Sequence, residues 1–149
     1  MSTSESSGDA LRGLLQMDIV TGATATRRAA VHLLTYTELP DRPGFAELVE
    51  IMDLEWDHGD IVRMGQVSDW AALLDFAATA GLSDSEQRMI ALAVSLASGQ
   101  PVDLAANIAV SGPAHARRVI EAIAIATGYS DMYAVTEKPD EKPVRRAHA

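Results

Sequence analysis

Residues 83–128 read SDSEQRMIALAVSLASGQPVDLAANIAVSGPAHARRVIEAIAIATG. Ser83-Asp84-Ser85-Glu86 fits a capping box, S-x-x-E, and opens a helix. Gly99-Gln100-Pro101 breaks it, Ser111-Gly112-Pro113 breaks the next segment, and Gly128 ends the third. Glycine closes helices and proline opens them, so the stretch predicts three helical segments in tight succession. The first is apolar almost all round after Arg88. A helix without a polar face sits centrally in a bundle or is covered by a partner. The stretch therefore predicts an all-α fold, a compact bundle of five or six helices.

The flanks extend the bundle upstream. Ser68 is placed to cap a helix over 69–80 that buries Trp70, Leu73, Leu74, Phe76 and Ala77 and ends at Gly81. Ile61–Val67 reads as a short strand or an extended connector. Phe45, Leu48, Val49 and Met52 recur at i, i+3, i+4 and i+7, which predicts an amphipathic helix over 44–54 with Glu47, Glu50 and Asp53 outside. Pro40–Gly44 is a turn. A helix is expected from Ala25 to Thr37, although its end, His32–Thr37, also suits a strand. Asp9 is placed to cap a helix through Val20 with Leu11, Leu14, Leu15 and Ile19 on one face. The Ser-rich residues 1–8 and the polar residues 129–149 suit disordered ends, which leaves 9–128 as a single helical domain.

The chain has 149 residues, 48% of them apolar and only 5% aromatic, so alanine and aliphatic side chains carry the burial. It has no cysteine, which excludes disulfides and thiolate chemistry. The longest nearly apolar run, Met89–Ala97, is far short of the roughly 20 residues that cross a bilayer. MSTSESSGD lacks the basic start and apolar run of a secretory signal, so a cytoplasmic location is expected. The basic residues through Arg118 are all arginine, which suggests a GC-rich coding background.

The net charge of −9 is concentrated. Residues 41–60 hold Asp41, Glu47, Glu50, Asp53, Glu55, Asp57 and Asp60 against Arg42 alone, a local balance of −6. The rest of the chain is nearly neutral. Such a field repels nucleic acid and anionic membrane and suits a basic protein partner.

Leu104–Ser111 followed by Pro113–Ile123 resembles the helix-turn-helix of bacterial repressors, over about twenty residues within 103–123. The resemblance implies that Pro113–Ile123 is a recognition helix, with His115, Arg117 and Arg118 facing outward and Val119, Ile120 and Ile123 inward. It implies DNA contacts from Ser111, His115, Arg117 and Arg118, with Asn107 near phosphates. Gly112 is one residue more than the motif's turn carries. No Lys/Arg-rich flank supplies the phosphate contacts that dominate affinity for DNA.

Asp53–Asp60 alternates oxygen-bearing side chains as a calcium loop does. On a calcium-loop frame begun at Asp53, however, the sixth position is His58 rather than glycine and the twelfth is Met64 rather than glutamate. Glu55-x-x-His58 has the spacing of one half of a di-iron site, but no second such pair exists. No metal or other cofactor is therefore expected. The bland alternative is a solvated loop with Trp56 folded onto the core. His32, His58, His115 and His148 lie in no nucleophile elbow, and no phosphate loop or dinucleotide fingerprint is present. The chain is read as no enzyme.

Met89–Ala97 and Ala122–Ala126 are each apolar on more than one side. Two such helices are hard to bury in a monomer of this size, so a homodimer with these helices at its interface is expected, with burial in a monomer's core as the equal alternative. The sequence thus favours a non-catalytic helical protein acting through protein–protein contact. Its partner surface is the acidic 44–60 face, carried by Glu47, Glu50, Asp53, Glu55, Asp57 and Asp60. The alternative is a helix-turn-helix regulator using 103–123.

Overall fold

The computed structural model describes residues 6–17 and 23–139, apart from the side chain of Asp57. Ile19, Arg145, Arg146 and His148 lie outside the described residues. Among those described there are six helices: α1 (Ser7–Gln16), α2 (Ala25–Leu34), α3 (Trp70–Ala78), α4 (Asp84–Ser98), α5 (Leu104–Ile108) and α6 (Pro113–Ala126). Two strands, β1 (Val49–Glu55) and β2 (Ile61–Val67), pair as an antiparallel hairpin between α2 and α3. The fold is mostly helical but not all-α.

The hairpin replaces the helix expected over 44–54. Phe45 and Leu48 do lie on a helical turn, but it is a single 3-10 turn, Phe45–Leu48. From Val49 onward the chain is extended and side chains alternate between two faces. The segment is rich in β-formers, and β2 supplies Ile61, Val62 and Val67 as cross-strand partners. A lone hairpin is marginal in water. Here α1 packs against β2, and Gly65 makes the approach possible. A Cβ at Gly65 would lie 2.9 Å from Val49 Cγ1 and 3.2 Å from Leu14 Cβ.

Caps set the helix boundaries. Ser6, not Asp9, caps α1, accepting from the Asp9 amide at 3.2 Å. Thr24 caps α2, which stops at Leu34 rather than Thr37. The hydroxyls of Thr35 and Thr37 donate to the carbonyls of Val31 (2.7 Å) and Leu34 (2.8 Å), which closes the helix end. Asp69, one residue after the expected Ser68, caps α3. Ser83 caps α4 by accepting from the Glu86 amide at 3.2 Å. One oxygen of the buried Glu86 carboxylate accepts from Ser83 Oγ, and the other accepts from the Glu38 amide at 2.7 Å. Glu86 thereby ties the start of α4 to the segment after α2.

α4 is the central helix, with Met89, Ile90, Leu92, Ala93 and Val94 all buried. One side joins the core of Leu11, Leu15, Leu34, Phe45, Val67 and Leu73, where α1, the hairpin base and α3 meet. The other joins a core of Ala29, Ala30, Leu33, Val119 and Ala122, where alanines let α2, α4 and α6 approach closely. Arg12 fastens α1 to the loop after α2. Its guanidinium donates to the carbonyls of Thr35 (2.9 Å) and Thr37 (2.8 Å) and takes both oxygens of Asp41 at 2.8 Å. That fork holds the Asp41 carboxyl below the usual carboxylate range.

Candidate functional site

The acidic segment forms the hairpin and its approach. Glu47 is exposed on the 3-10 turn, Glu50, Asp53 and Glu55 are exposed along β1, and Asp60 is exposed just before β2. Asp57 begins the 3-10 turn Asp57–Gly59 at the tip. The register places Asp53 opposite Arg63 and Glu55 opposite Ile61. Arg63 reaches Asp53 at 3.1 Å, but both side chains are largely solvent-exposed, so the pair contributes little. The carboxylates therefore run from the approach along β1 to the hairpin tip rather than along one face of a helix. Ile51, Asp53 and Glu55 share one face with Ile61, while Glu50 lies on the other.

Large apolar side chains stand among these charges. Ile61 is 72% exposed, Ile51 50% and Trp56 43%. Trp56 is thus not folded onto the core. Its amide donates to the Asp60 carbonyl at 2.6 Å and its carbonyl accepts from Gly59 at 3.2 Å, which seats the indole at the mouth of the turn. His58 and Gly59 complete that turn in the left-handed region, at φ 65° and 82°. Glu55 is on a strand and His58 in the turn, so no helix presents them as a pair. Among the described residues no three of His, Asp and Glu converge as a metal site would require.

Hydrogen bonding sets which backbone groups of β1 face outward. The Ser68 amide donates to the Leu48 carbonyl and the Trp56 amide to the Asp60 carbonyl. Bonded pairs alternate in an antiparallel ladder, so Glu50, Met52 and Leu54 bond to β2. Ile51, Asp53 and Glu55 point their N–H and C=O groups away from it.

The helix-turn-helix segment has α5 and α6 where the sequence places them, but α6 is rotated from the expected orientation. α6 packs on α2 as well as α4, so the residues turned inward are those that meet both. Val119 is buried as expected, together with Ala122, whereas Ile120 and Ile123, expected inward, are 52% and 43% exposed. Arg118 points inward. Its Nε donates to the His32 carbonyl at 2.8 Å, and its guanidinium lies 5.3 Å from the centre of the Tyr36 ring. His115 stacks edge-on against the same ring at 5.6 Å. Arg117 is half-exposed between Glu121 (3.8 Å) and Glu137 (3.5 Å). The Ser111 amide donates to Ser85 Oγ at 2.8 Å, Arg88 donates to the Ala109 carbonyl, and Asn107 donates to the Asp103 carbonyl at 2.8 Å. The first two bonds stitch the turn to α4, and the third lies within α5.

His32 sits half-buried between α2 and α6, with Nε2 3.4 Å from Glu121 Oε1. Burial pushes its pKa below the ordinary histidine value, and the nearby Arg118 charge adds to this. The hydrogen bond to Glu121 opposes both. Among the described residues no hydroxyl is bonded to His32. An apolar cleft of about 140 Å³ between α2, α4, α5 and α6 is lined by Leu33, Leu96, Leu104 and Ile123. That is small beside the roughly 300 Å³ or more that ligand pockets occupy.

Sequence reasoning missed Tyr36, which organises Arg118 and His115, and the outward turn of Ile51, Ile61, Ile120 and Ile123. The alternation of Val49–Glu55 was the one available signal for the strand residues. No helix among the described residues is long and apolar enough to cross a membrane. Compared with known proteins, the chain matches no family model, no curated protein and no solved structure.

Proposed function

We propose that the protein is a non-catalytic interaction protein of the cytoplasm whose acidic hairpin, residues 49–67, docks a basic protein partner. The observation that carries this reading is the combination at the hairpin: Ile51, Trp56 and Ile61 exposed beside Asp53, Glu55 and Asp60, with Glu50 exposed on the opposite face. Buried aromatic and aliphatic anchors supply most interface energy, and a surrounding charged rim sets specificity and on-rate. Affinity capture with wild type and with the variant Glu50→Gln/Asp53→Asn/Glu55→Gln/Asp60→Asn tests it. The retained protein is then reconstituted with purified chain. A basic partner held by wild type and lost from the variant supports the reading. Partners indifferent to all four charges, or acidic ones, contradict it.

A homodimer through the α5–α6 face belongs to the same proposal. Leu104, Ile108, Ile120 and Ile123 are all exposed there. Leu104 and Ile123 line one apolar cleft, so the patch is continuous between the two helices. The helix-turn-helix alternative ranks second. It needs both Arg117 and Arg118 on the outer face, but Arg118 is bonded inward, the exposed Arg117 is flanked by Glu121 and Glu137, and Ile120 and Ile123 are exposed on the same helix.

A further inference from the structure

We infer that the outer edge of β1 receives an extended basic segment of the partner as a third strand, so that the partner is held by main-chain pairing as well as by charge. The inference rests on the hairpin being the partner surface and specifies how it binds. Ile51, Asp53 and Glu55 direct their N–H and C=O groups to the outer edge of β1, and none of these groups has a backbone partner among the described residues. Beyond β2 and the 3-10 turn leading into it, no described element packs substantially on β1. Exposed edges are ordinarily protected by lysine, proline or a bulge. Neither strand contains lysine or proline, and the register runs one-to-one from Val49–Val67 to Glu55–Ile61 without a bulge. The edge of β2 is the poorer acceptor, because Arg63 on that strand would oppose a cation and α1 packs along it.

What guards β1 is charge. Pairing β1 with a second copy of itself sets carboxylates beside carboxylates, which disfavours self-association through this edge. The same charges favour a strand carrying cations. Ile51, Asp53 and Glu55 present apolar, acid, acid on one face, so an antiparallel strand complementary to them reads basic-x-basic-x-apolar from its N-terminus. Main-chain bonds would supply affinity and the alternate side chains specificity.

The test uses the full chain, ¹⁵N-labelled, with a capped peptide of sequence arginine-threonine-arginine-threonine-isoleucine-threonine. A second peptide is identical but N-methylated at both arginines and the isoleucine, the amides that would face β1. The unmethylated peptide is expected to slow hydrogen exchange at the amides of Ile51, Asp53 and Glu55. The methylated one is expected to bind at least about tenfold more weakly, a loss of about 1.4 kcal/mol. Equal binding by both peptides without amide protection overturns strand addition and leaves charge recognition standing. Binding by neither overturns both. Compared with Ile51→Ala, which removes the side chain alone, the variant Ile51→Pro keeps every carboxylate and additionally removes an outward N–H, which an edge strand tolerates. It should lose the unmethylated peptide to the same degree, and undiminished binding by the folded variant overturns the inference. If the variant does not fold, the peptide pair decides.

Discussion

The Arg118 guanidinium is bonded to the backbone of His32: its Nε donates to the His32 carbonyl at 2.8 Å while the charged group rests on Tyr36. The arginine that a recognition helix would present to DNA instead joins α6 to α2. Arg118→Ala should therefore destabilise the protein by about 1.5–3 kcal/mol, the range for hydrogen bonds to charged groups. Arg117→Ala, at a half-exposed position, should change stability by less than about 0.5 kcal/mol. Urea unfolding of both variants checks this. Equal effects would contradict the inward assignment.

Arg12 and Asp41 make a second prediction through a glycine. A Cβ at Gly8 would lie 1.9 Å from Asp41 Oδ1, so Gly8→Ala must displace the carboxylate that Arg12 holds. A cost of about 1–3 kcal/mol is expected, as for other overpacked sites. Asp41→Ala removes both the clash and the fork. The double variant should consequently be more stable than the sum of the single losses implies. Strict additivity in thermal or urea melts would show that Gly8 does not act through Asp41.

His32 gives a pH dependence. Its pKa is lowered in the folded protein, chiefly by burial, so the folded state binds the proton less readily than the unfolded state. Its contribution to stability is complete above the unfolded value of about 6.5 and is lost as pH falls from there through the folded pKa. Unfolding free energy measured from neutral pH downward should decline in this window. The decline should be shallower in His32→Gln. Identical slopes in the two proteins would contradict the assignment.

The helical core was legible in the sequence because its signals are local. Ser83 caps α4, Pro113 opens α6, and both helices lie where those residues predict. The hairpin was not legible as such, because Phe45, Leu48, Val49 and Met52 fit a helical stripe while Val49, Ile51 and the β2 residues fit a strand pair. Cross-strand partners ten or more residues away decided between the two. The site residues divide in the same way. The acidic segment was identified from composition, but its arrangement beside Ile51, Trp56 and Ile61 depends on the hairpin. The rotation of α6 depends on its packing against α2, which spacing within α6 does not encode. Arg118 followed that rotation inward, and Ile120 and Ile123 followed it outward.

Ile120 and Ile123 carry the oligomerisation prediction. If a second copy covers the α5–α6 face, Ile120→Glu/Ile123→Glu should yield a folded monomer, because the two substituted positions are exposed in one chain. Wild type should sediment as a dimer at the same concentration. A wild-type monomer at high concentration would contradict the dimer. An unaltered dimer in the variant would place the interface elsewhere.

The most direct measurement is fluorescence anisotropy of a labelled basic-x-basic-x-apolar peptide and of random-sequence duplex DNA against wild type, at about 50 and 200 mM salt. It is repeated with the four-carboxylate hairpin variant and with Arg117→Glu/Arg118→Glu. The account predicts that the peptide binds, that salt and the hairpin variant weaken it, and that DNA does not bind. DNA binding that is lost in the arginine variant, with no binding of the peptide, would contradict it.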